Sequence, residues 1–377
     1  MKKANLKYLS LLLAATLMTA VAGCATQAPT ANSGAGASPA ATTAASPANQ
    51  QGQTNVRVQL SFLTQSLDAP LIVAIDKGYF AEEGLNVSYE RGFGNADTIS
   101  KLGSGNFDIA FSDMYNALEF NQKNPNSKVM AVAITQNAAP FAIVTLKDSG
   151  INSPQDLAGK EIGAPAGDGP RKLFPLFAQE VGIDPNSVKW VTMDPKLRES
   201  FLLQGQVPAV SGFATSVLPS LYKAGRSPDD INVFYYNENG LDFYGNAILT
   251  RAAFAEQNPE AVRGFIRAYM RGLQDVLKDP NAGLDAVIAA DQSKLMDRTA
   301  EKARLQIALE RMFITPEVEK NGLGGVDTAR LEKSLQQTAE GFGLQGTPQV
   351  SDVFTDEFLP PAADRQLPPA SERKPLS

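Results

Sequence analysis

The stretch DAPLIVAIDKGYFAEEGLNVSYERGFGNADTISKLGSGNFDIAFSD, Asp68 to Asp113, decides the fold. Two amphipathic segments, PLIVAIDKGYFAEEG and DTISKLGSG, alternate with two short apolar runs, LNVSYE and FDIAFS. Runs of that length and composition read as strands, and the segments between them carry apolar residues at helical spacing. Working outward, VRVQLSF precedes the stretch, and KVMAVAI and FAIVTL follow it. After Gly150 the rhythm resumes with KEIGAP, VKWVTM, PAVSGF, INVFYY and NAILT, separated by PRKLFPLFAQEVG, PKLRESFLLQG and TSVLPSLYKAG. Strands alternating with helices predict an α/β fold with largely parallel sheets.

Beyond Tyr244 the pattern turns mostly helical. PEAVRGFIRAYMRGLQDVLK, Pro259 to Lys278, sets Val262, Phe265, Ile266, Tyr269, Met270, Leu273, Val276 and Leu277 on one face. Further helices are expected over 283–290, 299–312 and 328–341, ahead of a proline-rich end. Two α/β units followed by helices predict two lobes with a ligand cleft between them. The expected boundaries are 57–145 plus 244–345 for the first lobe, 146–243 for the second, and 346–377 as a C-terminal extension. Ligands of such sheets sit outside the carboxyl ends of the strands, and lobe closure is a hinge motion.

The chain opens MKKANLKYLSLLLAATLMTAVAGC, three lysines ahead of an apolar run too short to span a bilayer as a mature helix. This reads as an export signal over 1–23. Small residues before Cys24 match the bacterial lipoprotein pattern, in which that cysteine is acylated and becomes the N-terminus. Residues 24–56, rich in Ala, Ser, Thr and Pro, read as a flexible tether. Cys24 is the only cysteine and the chain has no histidine, so Ser-His-Asp catalysis and His- or Cys-based zinc sites are excluded by count. The formal net charge of −6 gives no basic footprint for nucleic acid.

The lipoprotein signal, DAPLIVAIDKGYFAEEGLNVSYE, GNADTISKLGSGNFDIAFSD and LLQGQVPAVSGF together resemble the solute-binding proteins of bacterial ABC importers. The branch is the one that includes binding proteins for alkanesulfonates, taurine and thiamine-pyrimidine precursors, and the match runs over roughly 57–345. The resemblance implies a periplasmic-binding-protein fold of type II and capture of a small molecule outside the membrane. It also implies delivery to a permease driven by a cytoplasmic ATPase, by a lipid-anchored monomer with no cofactor. Some relatives of this fold make a thiamine pyrimidine, with chemistry that leans on histidine and cysteine. One departure is Pro208, where the family often has aspartate; it removes a backbone donor beside the strand PAVSGF.

The glycine-rich GAPAGDGPRKLF, Gly163 to Phe174, fits neither GxxxxGK[ST] nor GxGxxG and so is no nucleotide loop. Pro170 favours the first helical position, which makes Asp168 or Gly169 the N-cap. Asp168 and Arg171 either serve that helix alone or offer an acceptor and a donor to a ligand. Other candidates follow from their places at strand ends: Phe62, Gln65 and Asp68 in FLTQSLDAP, Asn95 in GNAD, Ser112 and Asp113 in FSDM, and Gln136 and Asn137 in ITQNAAP. Phe213 ends PAVSGF, and Tyr244 and Asn246 lie at the return crossing in LDFYGNA. Aromatics flanking a few directed polar groups suit a flat or small polar organic ligand. Three aspartates against one arginine lean towards a neutral or cationic nitrogen heterocycle such as a pyrimidine precursor, and away from sulfonate or nitrate.

Overall fold

The computed structural model describes residues 52–377. The expected signal, the acylation site Cys24 and nearly all of the tether lie outside the described residues. Thr54 to Val56, the end of the expected tether, already form strand, because their alternation continues that of VRVQLSF.

Among the described residues the strands, in chain order, are β1 (Thr54–Gln59), β2 (Leu85–Glu90), β3 (Ile109–Asp113), β4 (Val129–Ile134), β5 (Phe141–Leu146), β6 (Glu161–Ala164), β7 (Lys189–Thr192), β8 (Ala209–Phe213), β9 (Ile231–Tyr235) and β10 (Asn246–Arg251). They form two five-stranded sheets, ordered β2-β1-β3-β10-β4 and β7-β6-β8-β5-β9. In each sheet four strands run the same way, three of them in adjacent parallel pairing, and the fifth, antiparallel, arrives from the other sheet. β5 enters the second sheet against β8 and β9, and β10 returns to the first against β3 and β4. The two-lobed α/β architecture therefore stands.

One boundary moves. The run FAIVTL, assigned above to the first lobe, is β5 of the second sheet, so the chain crosses between Ile134 and Phe141, ahead of residue 145. Periodicity marks a strand but carries no information about which sheet it joins.

The helix Pro259–Lys278 forms as its apolar stripe predicts, burying Phe265, Ile266, Tyr269 and Leu273 behind the first sheet. The helices Pro280–Ala290, Arg298–Ala308 and Thr328–Phe342 follow, and a short π-turn, Leu309–Phe313, extends the second of these. Residues 346–377, the expected C-terminal extension, pack against the first sheet. Val353 and Phe354 are buried, and Ala131 N donates to Val353 O (2.7 Å) while Thr355 N donates to Ala131 O (3.0 Å). The proline-rich segment forms only short 3-10 turns, yet it bridges to the edge of β4 and buries its own apolar side chains there.

Candidate functional site

The carboxyl ends of β1, β2 and β3 form the first lip of the cleft. Gly92 N donates to Phe62 O and Gly94 N to Ser61 O, both at 2.8 Å, so the loops after β1 and β2 run side by side. The approach is close enough that a Cβ at Gly92 would meet Ser61 backbone atoms at 2.7 Å, which restricts that position to glycine. This pairing projects two aromatic rings into solvent: Phe62 is 50% exposed and Phe93 64%. The Arg91 guanidinium lies 4.3 Å from the Phe93 ring centre. Exposed aromatic faces at a cleft edge are the surfaces on which a flat ligand stacks.

Beneath them Asp113 caps the helix Met114–Lys123 through Asn116 N (2.8 Å) and also accepts from Asn116 Nδ2 (2.7 Å) and from Asn95 Nδ2. Burial raises this carboxyl above its ordinary range, and those hydrogen bonds offset the rise only in part. Asn246 lies opposite Asp113 across β3 and β10, and its Nδ2 donates to Ser61 Oγ at 3.2 Å. Ser112 is fully buried and its hydroxyl has no hydrogen-bond partner. Gln65 opens the 3-10 turn Ser66–Asp68, where Gln65 N donates to Asp68 Oδ2 at 2.9 Å. Burial pushes the Asp68 carboxyl up to about 7, with Glu301 adding to the rise and Arg304 opposing it.

The second lip is the carboxyl edge of β6, β7 and β8. Asp168 is the N-cap of the helix Gly169–Glu180, accepting from Arg171 N at 3.2 Å, and the same Oδ2 accepts from Ser211 Oγ at 2.8 Å. Burial raises Asp168, while Ser211 and the nearby Arg198 hold it down. Arg171 does not reach outward: its Nη1 donates to Thr192 Oγ1 (3.0 Å) and Ala164 O (3.3 Å), and its guanidinium stacks 4.8 Å from the Trp190 ring. Phe213 packs edge-on against Phe141 with centroids 5.2 Å apart.

Three candidates turn out to serve the hinge. Gln136 Oε1 accepts from Asn246 N (3.1 Å) and Gln136 O from Gly245 N (2.8 Å), pairing the two crossovers. Asn137 and Tyr244, one on each crossover, both reach Glu317 Oε1, at 3.1 and 2.8 Å. Arg330 closes the cluster, bonding Glu317 Oε2 (2.8 Å), Asn137 O (2.7 Å) and Asp242 Oδ1 (2.7 Å) while lying 3.9 Å from the Tyr244 ring centre. Tyr244 is fully buried, so its ring offers no face to a ligand.

Sequence reasoning missed Arg198, Arg330, Glu317, Glu301 and Arg304. Arg198 is buried beside Gly212, donating to Glu199 Oε1 at 2.6 and 2.9 Å and to Ser211 O at 3.4 Å. Each lies on a helix or turn whose local pattern is ordinary, and charge alone does not reveal burial. Among the described residues no group of three carboxylates converges on a cation site. What the candidates present is a surface of aromatic faces, amides and buried carboxyls.

The chain is similar to the riboflavin-binding protein RibY of Chloroflexus aurantiacus, 27% identical over 327 residues, 85% of this chain and 91% of that protein. It is 25% identical over 304 residues to a formylaminopyrimidine-binding protein of Halalkalibacterium halodurans, 80% of this chain and 89% of the relative. It is also 23% identical over 327 residues to a 4-amino-5-hydroxymethyl-2-methylpyrimidine phosphate synthase of Legionella pneumophila, 86% of this chain and 96% of the relative. Among solved structures, the periplasmic nitrate-binding protein NrtA from Synechocystis PCC 6803 superposes with a TM-score of 0.63 at 14% identity, over 85% of this chain and 91% of that one. That likeness is one of fold. The NMT1/THI5-like family model matches residues 66–283, more than half of the sequence, and the chain belongs to the NMT1/THI5-like family.

Proposed function

We propose that this chain is the solute-binding component of an ABC import system. It works outside the cytoplasm, tethered by an acylated Cys24, and hands a small organic molecule from its cleft to a permease. The ligand class we favour is a flat nitrogen heterocycle, pyrimidine-like or larger. The observation that carries this reading is the pair of exposed rings, Phe62 and Phe93, held by backbone pairing on one lip, with the buried Asp168 on the other. Relatives named for riboflavin and for a formylaminopyrimidine support it. A pyrimidine synthase, the second reading, has a named relative of similar coverage. Against it stands a chain with no histidine and one cysteine, Cys24, the residue that directly follows the expected signal.

The test is a thermal-shift screen against riboflavin, substituted pyrimidines, alkanesulfonates and nitrate. A true ligand at a hundredfold excess over its dissociation constant adds about 2.7 kcal/mol of stability. A response confined to the sulfonates or nitrate sinks the heterocycle preference, and no response from any class sinks the binding reading for these solutes.

A further inference from the structure

The helix Arg298–Ala308 belongs to neither lobe alone. Leu305 and Ala308 pack in the core behind the first sheet, with Val58 and Phe265. Ile307, on the opposite side, packs in the core of the second with Val217 and Leu221. At the helix start the N-cap Asp297 pairs with Lys223 of the helix Ala214–Lys223 at 3.0 Å.

Between the two apolar faces lie Glu301 and Arg304, one turn apart and ion-paired. Glu301 is buried. Its Oε2 accepts from Ser66 N at 2.7 Å and its carbonyl accepts from Ser66 Oγ at 2.8 Å. Arg304 Nε donates to Thr215 O at 2.8 Å. Ser66 begins the turn that carries Asp68 on the first lip, and Thr215 lies in the first turn of the helix that follows β8 on the second. A charge-paired chain, Ser66 to Glu301 to Arg304 to Thr215, therefore runs from lip to lip.

We propose that Glu301 and Arg304 are positioning residues that form an inter-lobe latch, fixing the Ser66–Asp68 turn relative to the start of the Ala214–Lys223 helix. The latch serves the cleft proposed above as the binding site. Its logic is that a buried ion pair cannot lose one partner without leaving the other charged and unpaired. The link to Ser66 and the link to Thr215 therefore hold or fail together.

The test is amide hydrogen exchange of the full chain without ligand, comparing the parent with Glu301→Gln, Arg304→Gln and the double variant. Each single substitution is expected to speed exchange about tenfold at both lips, over 64–68 and over 214–218, the scale of losing a hydrogen bond to a charged group. The double variant should go little further. Ser66→Ala is the control: it deletes the hydroxyl that donates to the Glu301 backbone carbonyl and leaves Ser66 N, the Glu301–Arg304 pair and Thr215 O linked, so it should loosen its own turn and leave 214–218 at the parent's rate. Glu301 or Arg304 substitutions that loosen only one lip, or neither, overturn the latch, as does Ser66→Ala loosening 214–218 as much as they do. Riboflavin added to the parent separates the two readings: failure to protect either lip counts against riboflavin as the ligand and leaves the variant pattern to decide the latch.

Discussion

Tyr244→Phe separates a ligand contact from a hinge support. The phenol donates to Glu317 Oε1 and accepts from Asp327 N, both at 2.8 Å, in a fully buried setting. Burial raises its pKa, so the hydroxyl keeps its proton at any working pH. Deleting it removes one hydrogen bond to a carboxylate and one from a backbone amide. Glu317 Oε1 retains Asn137 Nδ2 and Asp327 N, each at 3.1 Å, so no group is stranded. The loss therefore falls at the low end of the range for a charged hydrogen bond, about 1.5 to 2 kcal/mol. The phenylalanine ring keeps its contact with Arg330, so no cation–π energy is lost. For a folded body of this size, roughly 2 °C of melting temperature accompanies each kcal/mol, giving a fall of about 3 to 4 °C. Urea and thermal unfolding measure the loss, and titration with the ligand identified by the screen should return an unchanged affinity. An unchanged melting point with a tenfold weaker affinity would refute the assignment to the hinge.

Asp68→Asn tests the carboxyl near neutrality, which faces Glu301 and Arg304 with Tyr89 and Tyr269 on its other sides. Its folded pKa of about 7 exceeds the ordinary 3.8, so the folded state holds the proton more tightly and the group's contribution falls as pH rises between those values. Relative to the parent, the variant should gain roughly 2 kcal/mol between pH 5 and pH 8 in urea midpoints, and a parallel pH profile would count against it. Asp168→Asn should retain the cap, because Asn caps about as well as Asp, and should weaken a donor-bearing ligand by roughly 1.5 to 3 kcal/mol in calorimetric titration. Arg171→Gln, which loses the Trp190 stack, should lower stability more than affinity; the opposite order would point to an anionic ligand. Cys24→Ser should release the protein from membrane fractions, and co-sedimentation equal to the parent's would remove the anchor.

The local elements were legible because each carries its own period. The helix Pro259–Lys278 shows an unbroken apolar stripe, and the strand runs are bounded by glycine and proline. The crossing of β5 was not legible, since sheet membership depends on pairing between distant segments. Nor was the hinge cluster. Glu317 and Arg330 sit on separate helices, and only tertiary packing brings them to Asn137 and Tyr244. Cap chemistry was readable from GDGP because a proline at the first helical position fixes where the cap must be.

The exchanged antiparallel strands explain why the polar residues divide as they do. Each crossover must leave one sheet and enter another, so its backbone lacks a continuous ladder and needs other partners. Gln136, Asn137 and Tyr244 supply them or hold the side chains that do, which removes these residues from the cleft. The same accounting changes the charge argument drawn from sequence. Asp113 is occupied by its cap and two asparagines, and Arg171 by carbonyls and Trp190. Burial pushes the Asp68 carboxyl up to about 7. Asp168, whose carboxyl burial raises while Ser211 and Arg198 hold it down, is the remaining acidic acceptor among the candidates at the lips. A neutral ring stacked against Phe62 or Phe93, with a single N–H directed at Asp168, uses what the fold leaves available.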